Sequence, residues 1–261
     1  MSDPSEYRHT FDFDVTDPAL HAALKLHQGL TRQGPGSTET TRTLMELAHP
    51  LPERPRALDL GCGPGPATLL LVREANAEVT ALDIYQPFLE ELRSAAERAG
   101  LAQRIHPENR SMRDLDYPDH SFDVVWAEGS AYNIGFDTAL LSWKRLIAPG
   151  GVLVVTECGW IVDHPDPAAR EFWDELYPLR STADNVAAAT WAGYTVTATY
   201  LLPDRDWFTE YYTPLEHRIA RVDPADTLTA QAAEALRREI DLRRRHGASY
   251  GYVGYVLRPH G

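Results

Sequence analysis

The chain has 261 residues, 43% of them hydrophobic and 24% charged, the proportions of an ordinary folded protein with ample core. Its formal charge of -13 repels phosphate backbones and anionic headgroups, so neither nucleic acid nor a membrane surface is an expected partner. Two cysteines, Cys62 and Cys158, both within apolar runs, argue against a disulfide framework, a zinc site or a thiolate-held metalloid.

In chain order, the first 50 residues show a polar lead, then a helix expected near Pro18 to Gln28. A Gly34-Pro35-Gly36 break follows, and then a second helix begun by Ser37 and carrying Leu44, Met45 and Leu47. Residues 1–50 are read as a helical cap and 51–261 as the main domain, with no linker between them. The opening Met1-Ser2-Asp3-Pro4-Ser5-Glu6 lacks the basic and apolar blocks of a signal peptide, which points to the cytoplasm. No apolar run approaches the ~20 residues of a membrane span.

From Arg56 onward short apolar runs alternate with helical periods. Strands are expected at Ala57 to Leu60, Glu78 to Leu82, Arg104 to Glu108, Phe122 to Trp126 and Val152 to Thr156. Helices are expected at Pro66 to Ala75, Pro87 to Ala99 before Gly100, and Phe136 to Ile147, with Pro149-Gly150-Gly151 as the turn into the last of these strands. This alternation predicts an α/β fold with a parallel sheet covered on both faces. Further on come helices at Pro167 to Leu176 and Thr182 to Ala192, a strand at Thr195 to Leu202, a long helix at Pro224 to Arg245 and an alternating strand at Tyr250 to Leu257.

The stretch Asp59-Leu60-Gly61-Cys62-Gly63-Pro64-Gly65-Pro66 runs a buried strand into three alternate glycines and a helix. Glycine suits such a turn because the backbone must visit positive φ and a Cβ would block a ligand lying against it. The third glycine of the dinucleotide fingerprint is missing from its position. Asp83 follows 18 residues after Gly65, at the end of the next strand, where a carboxylate can accept both ribose hydroxyls of an adenosine ligand.

Together these blocks resemble motifs I and II of the class I S-adenosylmethionine-dependent methyltransferases. The run Ser111-Met112-Arg113-Asp114-Leu115-Asp116-Tyr117, leading to Phe122, is similar to the family segment that lines adenine, and Pro149-Gly150-Gly151 to the family's turn into its fifth strand. The resemblance implies a Rossmann-like, seven-stranded, mostly parallel sheet, S-adenosylmethionine as cofactor and S-adenosylhomocysteine as product. It further implies that Asp59, Gly61, Cys62, Gly63 and Gly65 approach the methionine portion, Asp83 the ribose, Ile84 one face of adenine, and Ser111 and Met112 its edge. Many members carry aspartate where Ser111 stands, and a neutral hydroxyl is the weaker acceptor. The segments Arg32 to Ser37 and Ala127 to Gly135 resemble a bacterial small-molecule branch, which leaves the substrate open; Arg32 is a further candidate neighbour of the cofactor, as is Glu128, which stands just past the Phe122 to Trp126 strand beside Gly129 and Ser130.

The expected activity is methyl transfer to a small-molecule acceptor by a monomer or homodimer. Displacement at a sulfonium needs alignment in a dry pocket, and a base only when the attacking atom arrives protonated. Glu128, Glu157 and Tyr132 are candidates for that role, with His164 and His217 as further possible bases. Tyr132, Asn133, Trp160, Trp207, Tyr211 and Tyr212 are expected around an uncharged or cationic acceptor, with Glu128 and Glu157 facing the cleft. Alternatives are a non-methylating S-adenosylmethionine-binding regulatory or partner protein, or a same-fold enzyme using a derivative of that cofactor. An open acceptor pocket favours the enzyme and a plugged one the binding module.

Overall fold

Ala57, Leu58 and Leu60 are each at most 1% exposed, and burial of consecutive residues on both sides of a strand requires a layer on each face of the sheet. The computed structural model describes residues 16–260, so the polar lead before Thr16 lies outside the described residues. Seven strands, β1 (Arg56–Leu60), β2 (Glu78–Asp83), β3 (Ile105–Asn109), β4 (Phe122–Glu128), β5 (Ile147–Trp160), β6 (Tyr194–Leu201) and β7 (Tyr250–Pro259), form one sheet. Their order is β3-β2-β1-β4-β5-β7-β6, parallel except where β7 runs against β5 and β6. The order reverses between β1 and β4, and a crevice opens there beyond the carboxyl ends of the strands.

The helices are α1 (Pro18–His27), α2 (Thr38–Leu47), α3 (Pro66–Glu74), α4 (Gln86–Ala99), α5 (Phe136–Trp143), α6 (Pro167–Leu176), α7 (Thr182–Trp191), α8 (Arg205–Trp207), α9 (Thr213–Ile219) and α10 (Thr227–His246). Local chemistry sets their starts. Asp17 and Ser37 cap α1 and α2 by accepting from Ala19 N and Thr40 N, and Ser181 with Asp184 makes a reciprocal capping box for α7. Gly100 stops α4 in the left-handed region at φ 68°.

Several bounds differ from the sequence reading for tertiary reasons. The helix expected to reach Ile147 ends at Trp143, passes through a 3-10 turn at Lys144–Leu146, and yields to β5. β5 begins before the Pro149-Gly150-Gly151 turn, which becomes a register shift against β4, and continues to Trp160 because β7 pairs with it from Leu153 to Trp160. Between β6 and α10, α8, a π-helical turn (Phe208–Tyr212) and α9 follow without a break, where the sequence reading placed no element.

The two N-terminal helices join different parts of the molecule. Leu44, Met45 and Ala48 belong to the core on one face of the central strands, and Leu44 packs over Gly254 of β7. By contrast α1 lies on α10 and α9, with Leu26 in the third apolar cluster beside Trp207 and Tyr211. Both cysteines are buried and unbridged. Among the described residues no helix is long and apolar enough to cross a membrane.

Candidate active site

The turn after β1 holds Gly61, Gly63 and Gly65 at φ 73°, 54° and 88°, values that L side chains rarely adopt. Space imposes the same choice: a Cβ on Gly61 would lie 2.6 Å from Ser130 Cβ, and one on Gly63 2.6 Å from Gln33 Oε1. The turn is tied to β2 by the amides of Gly61 and Cys62, which both donate to the Leu82 carbonyl at 2.9 Å. Asp83 completes the link, accepting from Gly63 N–H at 2.9 Å and from Tyr85 N–H at 2.8 Å. Burial pushes Asp83 up to about 6, although backbone hydrogen bonds from Tyr85, Gly63 and Ile84 oppose the shift. Deeper in, Asp59 accepts from Thr68 Oγ1 at 2.5 Å and is raised by burial to about 7.

These groups open onto a cavity of about 580 Å³, within the ordinary range of about 300–1,000 Å³ for small-molecule sites. Asp59, Gly61, Cys62, Gly63, Asp83, Ile84, Ser111 and Met112 all line it. Gly65 is outside the lining, at the start of α3. Arg32 and Glu128 face the cavity as a pair, with Nη1 donating to Oε2 at 2.8 Å. Arg32 also donates to Glu210 Oε2 at 3.2 Å and to Thr41 Oγ1 at 3.0 Å, and Trp126 Nε1 donates to the other Glu128 oxygen at 3.1 Å. Glu128 is therefore half of a mostly buried ion pair, with its charge compensated from within the protein.

Residues 57–151 match the family model described as a methyltransferase domain. Over that span, a little over a third of the chain, it is similar to the methyltransferases. It is 32% identical over 151 residues to the 27-O-demethylrifamycin SV methyltransferase of Amycolatopsis mediterranei, covering 56% of this chain and 54% of that one. It is 33% identical over 122 residues to the dimethylglycine N-methyltransferase of Parasynechococcus marenigrum, covering 46% and 44%. The chain thus spans about half the length of the curated relatives it matches. In fold it is similar to a methyltransferase from Geobacter sulfurreducens solved with S-adenosylhomocysteine, at a TM-score of 0.79 and 20% identity over 92% of this chain and 98% of that one.

The residues expected around an acceptor separate in the structure. Tyr132, Asn133 and Tyr211 line the cavity, whereas Trp160, Trp207 and Tyr212 do not. Trp207 packs among Tyr212, Tyr250 and Tyr252, and the Arg243 guanidinium lies 4.1 Å over its ring, so its face already holds a cation from the chain itself. Tyr212 donates to Glu239 at 2.6 Å, and Trp160 packs edge-on to Tyr250. Tyr132 is pushed up to about 12, chiefly by burial, and keeps its phenolic proton at neutral pH. His164 and His217 are both exposed and outside the cavity lining. His27 does line it, and its signal in the sequence was its place on the α1 face that also carries Leu20, Ala23 and Leu24.

Glu157 corrects the expectation that it shares the cleft with Glu128, for it is 1% exposed and outside the cavity lining. Tyr177 O–H donates to its Oε1 at 2.5 Å, while Oε2 has no hydrogen-bond partner among the described residues. Burial raises the acid from 4.5 to about 8, so it is neutral at pH 7 in the folded protein. The folded state then holds a proton that the unfolded chain releases, and stability falls as pH rises through that window. Glu157→Gln is neutral at every pH, so its stability relative to wild type should climb between pH 4.5 and about 8 and level off above. Chemical denaturation at stepped pH measures this; parallel curves for the two proteins would refute the assignment.

Proposed function

We propose that this chain transfers the methyl group of S-adenosylmethionine to a small-molecule acceptor. The observation that carries the reading is that the glycine turn, the Asp83 carboxylate and the Tyr132 and Tyr211 rings open onto one cavity. The residues fit the cofactor. Gly61 and Gly63 leave room where a Cβ would collide, Asp83 offers ribose hydroxyls a carboxylate, and Ile84 and Met112 offer adenine apolar contact beside Ser111. Asp59, with the Arg32–Glu128 pair, adds polar groups on the methionine side. When bound, S-adenosylmethionine supplies an electrophilic methyl group on a positively charged sulfur.

The protein's own contribution is alignment and exclusion of water. The chain's charge of -13 favours an uncharged or cationic acceptor over an anion and a small metabolite over nucleic acid, while the cavity lining itself holds Asp59, Asp83 and Glu128 together with Arg32, Arg110 and Arg113. The relatives' names describe transfer to an oxygen of a demethylrifamycin and to the nitrogen of dimethylglycine, so both kinds of acceptor atom fall within this reading. Glu128, Tyr132 and Tyr211 line a cavity of about 580 Å³ without filling it, which supports an enzyme over a plugged binding module. A cytoplasmic monomer or homodimer completes the proposal. Incubation with methyl-labelled S-adenosylmethionine and a metabolite extract, read by mass spectrometry, tests it. Product heavier by one methylene is expected; cofactor binding without any methylated product would favour the module.

Within this reading α1 acts as a cap, because it contributes Leu20, Ala23, Leu24 and His27 to the cavity wall, whereas α2 packs into the core of the sheet. Filling the cavity should therefore restrain α1. Hydrogen exchange over Ala19 to Leu30 is expected to slow several-fold with S-adenosylhomocysteine present, and equal exchange with and without it would count against a cap.

A further inference from the structure

His27 ends α1 and faces the cavity while only 9% exposed. Its Nδ1 lies 2.8 Å from the carbonyl oxygen of Ala23, one turn earlier. A carbonyl has no hydrogen to give, so the shared proton belongs to Nδ1. A neutral imidazole held in this way carries its free lone pair on Nε2. Tyr211, which also lines the cavity, stacks on the ring with centroids 6.1 Å apart and planes 24° apart, which restrains the imidazole's plane. Among the described residues Nε2 takes part in no hydrogen bond.

The other candidate bases are occupied. Glu128 is committed to Arg32, Tyr132 holds its proton, and Glu157 is outside the cavity lining. We propose that His27 Nε2 is the general base of the transfer and that the acceptor is accordingly a hydroxyl compound. This rests on the methyltransferase reading above. A lone pair of the hydroxyl oxygen forms the bond to the methyl carbon. The carbon–sulfur bond breaks with its electron pair going to sulfur, and the hydroxyl proton passes to Nε2. The resulting imidazolium then releases that proton to water.

The surroundings suit this cycle. Burial lowers His27 from its ordinary range, the Ala23 hydrogen bond opposes the shift, and the Arg218 guanidinium of α9 adds to the lowering. Arg218 is held nearby by donating to the Gln28 carbonyl. The other charged or titratable groups around the ring are Lys25 on α1, Tyr211 from the π-helical turn and Glu91 of α4, which accepts from Gly29 N–H. Glu239 of α10 stands behind Tyr211, and the Arg32–Glu128 pair faces the same cavity. The imidazole is thus neutral before the step and disposed to lose its proton after it.

His27→Asn retains an amide that can donate to Ala23 but has no base. It should bind S-adenosylhomocysteine as wild type does, measured by calorimetry. With labelled S-adenosylmethionine and phenol as probe acceptor, turnover should fall by about 10²–10⁴-fold, the usual contribution of a general base. Pentafluorophenol, already ionised at neutral pH, should be methylated at nearly the wild-type rate, and added imidazole should restore part of the phenol rate. An unchanged phenol rate, or equal losses with both phenols, would overturn the proposal. Nitrogen NMR of the wild-type complex with S-adenosylhomocysteine gives a readout independent of turnover. A neutral ring protonated on Nδ1 is expected at neutral pH, and a proton on Nε2 overturns the proposal whether or not either phenol reacts. Failure of wild type to bind S-adenosylhomocysteine would instead sink the methyltransferase reading.

Discussion

Asp83→Ala is expected to weaken S-adenosylhomocysteine binding by at least roughly 100-fold, because two losses coincide and hydrogen bonds to a charged group contribute about 1.5–3 kcal/mol each. The first is the carboxylate proposed to accept from ribose. The second is already visible without ligand: Asp83 holds the amides of Gly63 and Tyr85, and alanine leaves both without that acceptor. The glycine turn would then lose a tie to β2 at the place where the cofactor has to lie. Because burial raises Asp83 to about 6, wild-type affinity should decline as pH falls through that value, when the carboxylate is protonated. The variant should lose this part of the dependence and keep any part that comes from Asp59, which is raised to about 7. In the empty protein the sign is opposite. The folded state holds the Asp83 proton more tightly than the unfolded chain, so its contribution to stability declines as pH rises from 3.8 towards 6. Calorimetry on both sides of pH 6 checks the assignment, and wild-type affinity in the variant would refute it.

Arg32→Met should destabilise the protein by about 3–5 kcal/mol, the usual consequence of removing one partner from a buried ion pair. Methionine fills much of the volume, so the loss reports charge and hydrogen bonding more than packing. Glu128 would keep the Trp126 N–H as a hydrogen-bond partner, while Glu210 and Thr41 would lose their contacts with the guanidinium. The segment 32–37 would also lose its side-chain tie to β4 and to the π-helical turn. Adding Glu128→Gln should recover part of the stability by removing the orphaned charge. Chemical denaturation of the two single variants and the double variant separates the terms. A loss below about 1 kcal/mol for Arg32→Met would show that the pair does not pin this side of the cavity.

The cofactor side of the site was legible because its chemistry is local. Three alternate glycines, the preceding buried run and the acid ending the next strand lie within 25 residues, from Asp59 to Asp83, and strand–turn–helix geometry places them together. The helix start at Ser37 was legible for the same reason, since its side chain acts on an amide three residues on. Strand ends were less so. The length of β5 depends on β7, about 100 residues later in the chain, and no period within β5 itself announces that pairing.

Composition, glycine spacing and the alternation of apolar runs with helical periods by themselves determined the fold class, the cofactor family and the place of the cleft, because each follows from interactions between near neighbours in the chain. Tertiary structure alone decided which similar side chains meet the cleft. Trp207, Tyr211 and Tyr212 occupy one aromatic stretch, yet only Tyr211 lines the cavity, while Arg243 covers Trp207 and Tyr212 donates to Glu239. Glu128 and Glu157 both follow apolar strand residues, but one is paired with Arg32, 96 residues away, and the other is sealed beside Tyr177. A side chain's charge and availability depend on the partners packed around it, and those partners come from distant parts of the chain.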